Sequence, residues 1–154
     1  MPKRRDQIRM TNEELWKFVE ERKSLQVATL GADGAPHLTT LWFAVVDGEI
    51  VFETFTKSQK IVNLRRDPRI AVLVEDGERY DQLRGVSIRG RAELHSDPEV
   101  VHPYALAVMK RNQPEIPVDA LEKVAQKMAA KRTAVVVKPE KIVSWDHRKL
   151  GGSY

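Results

Sequence analysis

The run Thr56-Lys57-Ser58-Gln59-Lys60 brings together two hydroxyls and two ammonium groups. An apolar strand pattern ends just before it at Phe55. A helical pattern follows it and stops at Asp67-Pro68. A helix start offers free backbone N–H groups and the positive end of the helix dipole, so this segment suits a phosphate or another anion. Thr56 and Ser58 add hydroxyl donors, and Lys57 and Lys60 add charge. The same residues also fit an ordinary N-cap at Ser58 flanked by solvated lysines. Arg65 and Arg66 complement the dipole at the other end of that helix.

No other segment advertises reactive side chains. The chain has no cysteine, which excludes a disulfide framework, a thiolate metal site and a Cys nucleophile. His37, His95, His102 and His147 lack metal-ligand spacing, so no metal is expected. There is no Gly-x-Ser-x-Gly elbow and no Gly-x-Gly-x-x-Gly. Gly85 and Gly90 have the glycine gap of a P-loop, but Arg91 follows within a strand pattern. Glu13/Glu14 and Glu20/Glu21 lie on a surface helix and make no readable acid–base pair. No catalytic residue is therefore assigned. Either the protein is a binding module, or a cofactor carries the chemistry and the protein supplies position and electrostatics.

Composition narrows the class. Of 154 residues, 42% are hydrophobic and 31% charged, a soluble globular balance. Lys and Arg number 26 against 22 Asp and Glu, a net charge of +4. That excess admits an anionic partner but is thin support for nucleic acid without aromatic interleaving. No apolar run approaches the roughly 20 residues of a membrane span. Lys3, Arg4, Arg5 and Arg9 precede no apolar stretch, so residues 1–10 are expected to be a frayed basic arm, not a secretory signal. Absent cysteine and absent signal point to the cytoplasm.

These residues need elements to position them. A helix is predicted over 11–23, opened by a Thr11/Glu14 capping box. Strands are predicted over 25–30, 36–46 and 49–55, joined by turns at 31–34 and at Asp47-Gly48. The helix over 58–66 leads to a strand over 69–75, whose continuous apolar run suggests burial on both faces. A long strand over 83–95 follows, with Gly85 and Gly90 marking bends or a bulge. A helix from 96 to about 111, interrupted or kinked at Pro103, and another over 119–131 come next. Two strands over 133–137 and 141–145 around a Pro139-Glu140 turn complete the pattern. Six to seven strands in meanders with inserted helices make the fold mainly β with α decorations (α+β): a mostly antiparallel barrel, not a doubly wound sheet.

Three stretches, taken in order, resemble a known family. They are Val27-Ala28-Thr29-Leu30 with Gly34 to Phe43; the Lys-Ser-x-Lys helix ending Asn63-Leu64-Arg65-Arg66-Asp67-Pro68-Arg69; and Gly90-Arg91-Ala92-Glu93. Together they resemble the pyridoxamine-phosphate-oxidase-like, FMN-binding split β-barrel superfamily. The ending Ser144-Trp145-Asp146-His147-Arg148-Lys149-Leu150-Gly151 is similar to that of its deazaflavin branch, which uses coenzyme F-420. The resemblance spans residues 11–154 and implies one split-barrel domain there. It also implies a homodimer with the cofactor in a groove between protomers. On this resemblance Lys60 contacts the cofactor phosphate, and Thr56, Lys57 and Ser58 line the same pocket. Thr39, Thr40 and Leu41 lie along the ring, Thr54 joins them, and Trp145 closes the ring site.

The implied activity is hydride transfer between coenzyme F-420 and a small organic acceptor. FMN on the same barrel, or a non-catalytic protein holding a cofactor or tetrapyrrole, are the alternatives. The sequence departs from true pyridoxamine phosphate oxidases. Arg84-Gly85-Val86-Ser87-Ile88-Arg89 replaces their Arg-Gln-Val-Arg-like stretch, and the end Gly151-Gly152-Ser153-Tyr154 lacks their C-terminal arginine. Vitamin B6 synthesis is therefore not expected. Loops 75–83 and 112–119 are expected to line the substrate pocket.

Overall fold

The computed structural model describes residues 2–152; Met1 of the basic arm and Ser153 and Tyr154 of the tail lie outside the described residues. Seven strands form one antiparallel sheet: β1 (Ser24–Leu30), β2 (Pro36–Trp42), β3 (Ala44–Val46), β4 (Glu49–Phe55), β5 (Arg69–Asp76), β6 (Arg84–His95) and β7 (Arg132–Asp146). Among the described residues five α-helices accompany them: α1 (Arg4–Gln7), α2 (Asn12–Glu21), α3 (Gln59–Arg66), α4 (Pro98–Asn112) and α5 (Val118–Ala129).

The strand order is β2-β1-β5-β6-β7-β4-β3. Its two edge strands, β2 and β3, are consecutive in sequence and separated only by Phe43. The sheet must therefore curl until its edges meet at that residue, which makes it a split barrel. This is why the strand predicted over 36–46 is two strands. Residues before Phe43 pair with β1 and residues after it pair with β4. Phe43 is fully buried. Its carbonyl accepts from Arg111 Nη1 at 3.2 Å and Asn112 Nδ2 at 3.3 Å, and the Arg111 guanidinium stacks 4.3 Å from its ring centroid. Asp47 (φ 52°) and Gly48 (φ 77°) are both left-handed, as the two-residue hairpin between β3 and β4 requires.

Inside the barrel, alternate residues of the strands form the main core, including Leu25, Val27, Phe52, Val72, Ile88 and Val135. The helix α2 closes one end with Leu15, Phe18 and Val19, and its capping box is complete: Glu14 N–H donates to Thr11 Oγ1 at 3.2 Å and Thr11 N–H to Glu14 Oε2 at 2.8 Å. The helix α4 covers the outside of β3, β4 and β7 by packing Val108 against Ala44, Val51 and Val136, while α5 packs on α4 through Leu121 and Ala125 and on Ala134 of β7 through Ala129.

Four further expectations are corrected. The strand β5 is buried on one face only, since Ile70, Val72 and Val74 are buried while Ala71 and Leu73 are half-buried on the other. There is one C-terminal strand, not two. Register shifts between Arg89 and Gly90, so that Pro139 and Glu140 form a bulge within β7 rather than a turn. The helix α4 is not interrupted at Pro103: it continues because its Val101, Ala105, Val108 and Met109 face is buried, which offsets the missing backbone bond. The basic arm is not frayed throughout. It carries the α1 turn, Met10 is buried and donates its N–H to Ser144 Oγ at 3.1 Å, and Asp146 N–H donates to Ile8 O at 2.7 Å. Among the described residues no helix is long and apolar enough to cross a membrane.

Candidate functional site

The start of α3 is fixed by two chains of hydroxyl and amide groups. On one side Thr56 Oγ1 lies 2.9 Å from Thr133 Oγ1, which lies 2.9 Å from Ser96 Oγ; Arg65 Nη2 donates to that Ser96 oxygen at 3.3 Å. On the other side Gln59 Nε2 donates to Asn63 Oδ1 at 2.8 Å, and Asn63 Nδ2 donates to Thr29 Oγ1 at 3.0 Å. Arg66 Nη2 donates to the Leu30 carbonyl at 2.6 Å and to Asn63 Oδ1 at 3.2 Å. Asn63, Thr29 and Thr133 are buried, so each needs these partners. The result is a helix start held rigidly against the ends of β1 and β7.

Within this frame the predicted residues divide their work. Ser58 is the N-cap, its Oγ accepting from the Ile61 N–H at 3.5 Å. Thr56 is engaged with Thr133, and Lys57 is exposed. Lys60 sits in the first turn, half-buried, with no ion pair among the described residues; burial alone pushes its ammonium below the ordinary lysine pKa. A desolvated ammonium at a helix N-terminus suits an anion.

The second strand presents two faces. Thr39 and Leu41 are opposite Val27 and Leu25 and therefore point into the barrel. Thr40 is opposite Gln26 and points outward, on the same face as Leu38 and Trp42. The Thr39 hydroxyl and His37 Nδ1 are buried without a hydrogen-bond partner. Such groups are costly unless something fills their valence. Thr54 also points inward, beside Thr133, and is buried.

Trp145 is not part of this cluster within one chain. It pairs with Gly85 at the opposite end of β7 from Thr133, about 40 Å away along the strand. Its indole packs on Gly85 so closely that a Cβ there would lie 2.1 Å from Cζ2.

Glu53 and Arg132, which the sequence reading passed over, form a second feature. A cavity of about 300 Å³ opens between β2, β4 and the α4–α5 pair. Its walls include Leu41 and, from the loop after α4, Gln113. Glu53 and Arg132 stand in it as an ion pair, Nη1 to Oε2 at 2.9 Å, with side-chain exposures of 7% and 23%. Burial raises the Glu53 carboxyl above its ordinary pKa, and Arg132 opposes the shift. The available signal was a lone acid inside the apolar strand Ile50-Val51-Phe52-Glu53-Thr54-Phe55.

Comparison with known proteins agrees with the fold. The chain is 45% identical to the conserved hypothetical protein Rv2991 from Mycobacterium tuberculosis, over 99% of this chain and 95% of that one, with a TM-score of 0.90. An F-420 reductase is 26% identical over 86% of this chain and 98% of its own, with a TM-score of 0.66. Over 75 residues the chain is 39% identical to a pyridoxine/pyridoxamine 5'-phosphate oxidase of Kineococcus radiotolerans. That match spans 49% of this chain and 32%, about a third, of the relative's length. The profile of the pyridoxamine 5'-phosphate oxidase family matches from residue 11 to residue 146, nearly the whole barrel, and the chain belongs to that family.

Proposed function

We propose that this protein is an F-420-dependent oxidoreductase that passes a hydride to a small organic acceptor and works as a homodimer. The observation that carries the reading is Lys60: a half-buried ammonium at a helix start, with no carboxylate to neutralise it among the described residues. The orphaned Thr39 hydroxyl on β2 fits a ligand that supplies the missing hydrogen bond. A phosphate-bearing deazaflavin suits both, and when bound it supplies the hydride chemistry that these side chains lack. Lys60 and the backbone N–H groups after Ser58 would hold the phosphate. Thr56 and Lys57 flank it, Thr39 and Leu41 would border the ring end along β2, and Thr54, buried beside Thr133, would back the loop at Thr56. The likeness to an F-420 reductase over nearly all of that protein supports this coenzyme. The family profile supports FMN as the second reading.

Titration of the purified protein with F-420 and with FMN, followed by absorbance and fluorescence, tests the choice. F-420 is expected to bind more tightly. Tight binding of FMN with none of F-420 would sink the preferred version.

The dimer is argued from the outer face of β2, β1 and β5. Leu38 is 68% exposed and Trp42 47%, and Ala28, Ala71 and Leu73 lie on the same face. Apolar surface of this kind is what a subunit contact covers. A second copy would bring its own Trp145 and the outward-facing Thr40 toward the groove, giving both a place that one chain denies them. Leu38→Asp is expected to leave the fold intact by circular dichroism and to shift the sedimentation coefficient to that of a monomer. A wild-type protein that already sediments as a monomer would remove the dimer.

A further inference from the structure

We propose that the Glu53–Arg132 pair receives the imide edge of a pyrimidinedione ring, the –CO–NH–CO– end that flavins and deazaflavins share. The inference rests on the cofactor reading for the identity of the ring, and it holds for either coenzyme.

The cavity selects by charge first. Its walls are Leu41, Val108, Met109 and Met128, with exposed Trp42 at the rim. Among the described residues its ionic groups are Glu53 and Arg132, which neutralise one another. An uncharged, flat, mostly apolar ligand fits, and a free anion or cation does not.

The pair also sets a hydrogen-bond pattern. A carboxylate accepts only, and a guanidinium donates only, with five N–H groups of which the ion pair with Glu53 uses one. Side by side they present an acceptor next to a donor. The complement is an N–H next to a carbonyl, as in an amide or imide edge. Carboxylates, amines and simple ketones offer only half of that pattern.

Both groups are held in place before any ligand arrives. The Glu53 side chain is nine-tenths buried, and the Arg132 guanidinium stacks 4.3 Å from the Phe55 ring centroid. A buried ion pair contributes little to stability on its own. The desolvation that raises the Glu53 pKa is relieved by one more N–H donor.

Position supports the same ligand. Glu53 precedes Thr56 by three residues, about 10 Å of extended chain. A ligand with its phosphate at the start of α3 thus reaches the cavity with its far ring edge. Leu41 lines the cavity and Thr39, two residues away on the same face, carries the orphaned hydroxyl.

Riboflavin and 5-deazariboflavin carry the ring without the phosphate, and their 3-methyl derivatives lose the imide N–H. Equilibrium dialysis of the intact protein with all four is the test. Methylation is expected to weaken binding at least tenfold in the wild type and twofold or less in Glu53→Ala. Glu53→Gln is the second variant. Its oxygen turns to Arg132 and its NH2 faces the ring N–H, so the unmethylated probes lose about tenfold and the methylated ones do not. Equal binding of methylated and unmethylated rings by the wild type overturns the inference, and so does failure of both unmethylated rings to bind. If F-420 or FMN still binds in a Lys60-dependent way in those cases, the proposed function stands without it. Methyl-sensitive ring binding with no affinity for either phosphate-bearing coenzyme gives the converse: the cavity is assigned and the proposed function falls.

Discussion

Lys60→Ala is expected to weaken binding of the phosphate-bearing coenzyme at least tenfold while leaving the melting temperature unchanged or slightly raised. The two halves of this result have one cause. In the folded chain the ammonium is desolvated and has no ion pair among the described residues, so its charge is a burden on the fold rather than a support. The lowered pKa carries the same sign: folding disfavours the charged form, so removing the charge does not destabilise. With a phosphate present the balance reverses. A hydrogen bond to a charged group is worth about 1.5–3 kcal/mol, or roughly tenfold to a hundredfold in affinity. Lys60→Arg keeps the charge and is expected to recover part of the loss. Titration calorimetry with parallel thermal melts checks both halves. Unchanged affinity would remove Lys60 from the site; a large fall in melting temperature would make it a structural residue instead.

Gly90→Ala is expected to be the most damaging single methyl in the barrel. A Cβ at position 90 would lie 2.0 Å from the Lys138 carbonyl oxygen and 2.9 Å from its carbon. Both are backbone atoms of the strand paired with β6, and a side-chain rotation cannot relieve the clash. The contact sits at the bulge, where the register between β6 and β7 shifts and the ladder is already interrupted. Either the bulge moves, which misaligns the strands on one side of it, or the pair separates locally. Overpacking of a rigid site costs about 3 kcal/mol or more, which for a domain of this size lowers the melting temperature by on the order of 10 °C. Differential scanning calorimetry of the purified variant measures this directly. A shift within a degree or two of wild type would mean that the bulge is softer than its geometry indicates.

Local signals made much of the fold legible. The Thr11/Glu14 box, the Asp47-Gly48 turn and the Ser58 cap are each a few residues long and depend on backbone chemistry alone. A short apolar run placed β1, the turn signal placed β4, and alternation placed β6. What failed had long-range causes. Phe43 reads as the middle of a strand, because the break there exists only once two edges of a curled sheet meet. Pro139-Glu140 reads as a turn, because its alternative is a bulge set by Gly90 on another strand. Ala71 and Leu73 read as core, since apolarity alone does not say which apolar face is left on the outside.

The candidate site divides along the same line. Sequence alone determined that a hydroxyl- and lysine-rich helix start follows a strand, that no side chain advertises catalysis, and that the pattern resembles a cofactor-binding barrel. These are statements about neighbours in the chain, which local propensity and short-range hydrogen bonds control. Only the tertiary structure decided that Thr39 points inward and Thr40 outward, that Trp145 lies at the far end of β7 from Lys60, and that Glu53 is paired with Arg132 from a strand 79 residues later. Strand register and the closure of the sheet set those relations. A shift of one residue in register would have reversed every one of the facing assignments.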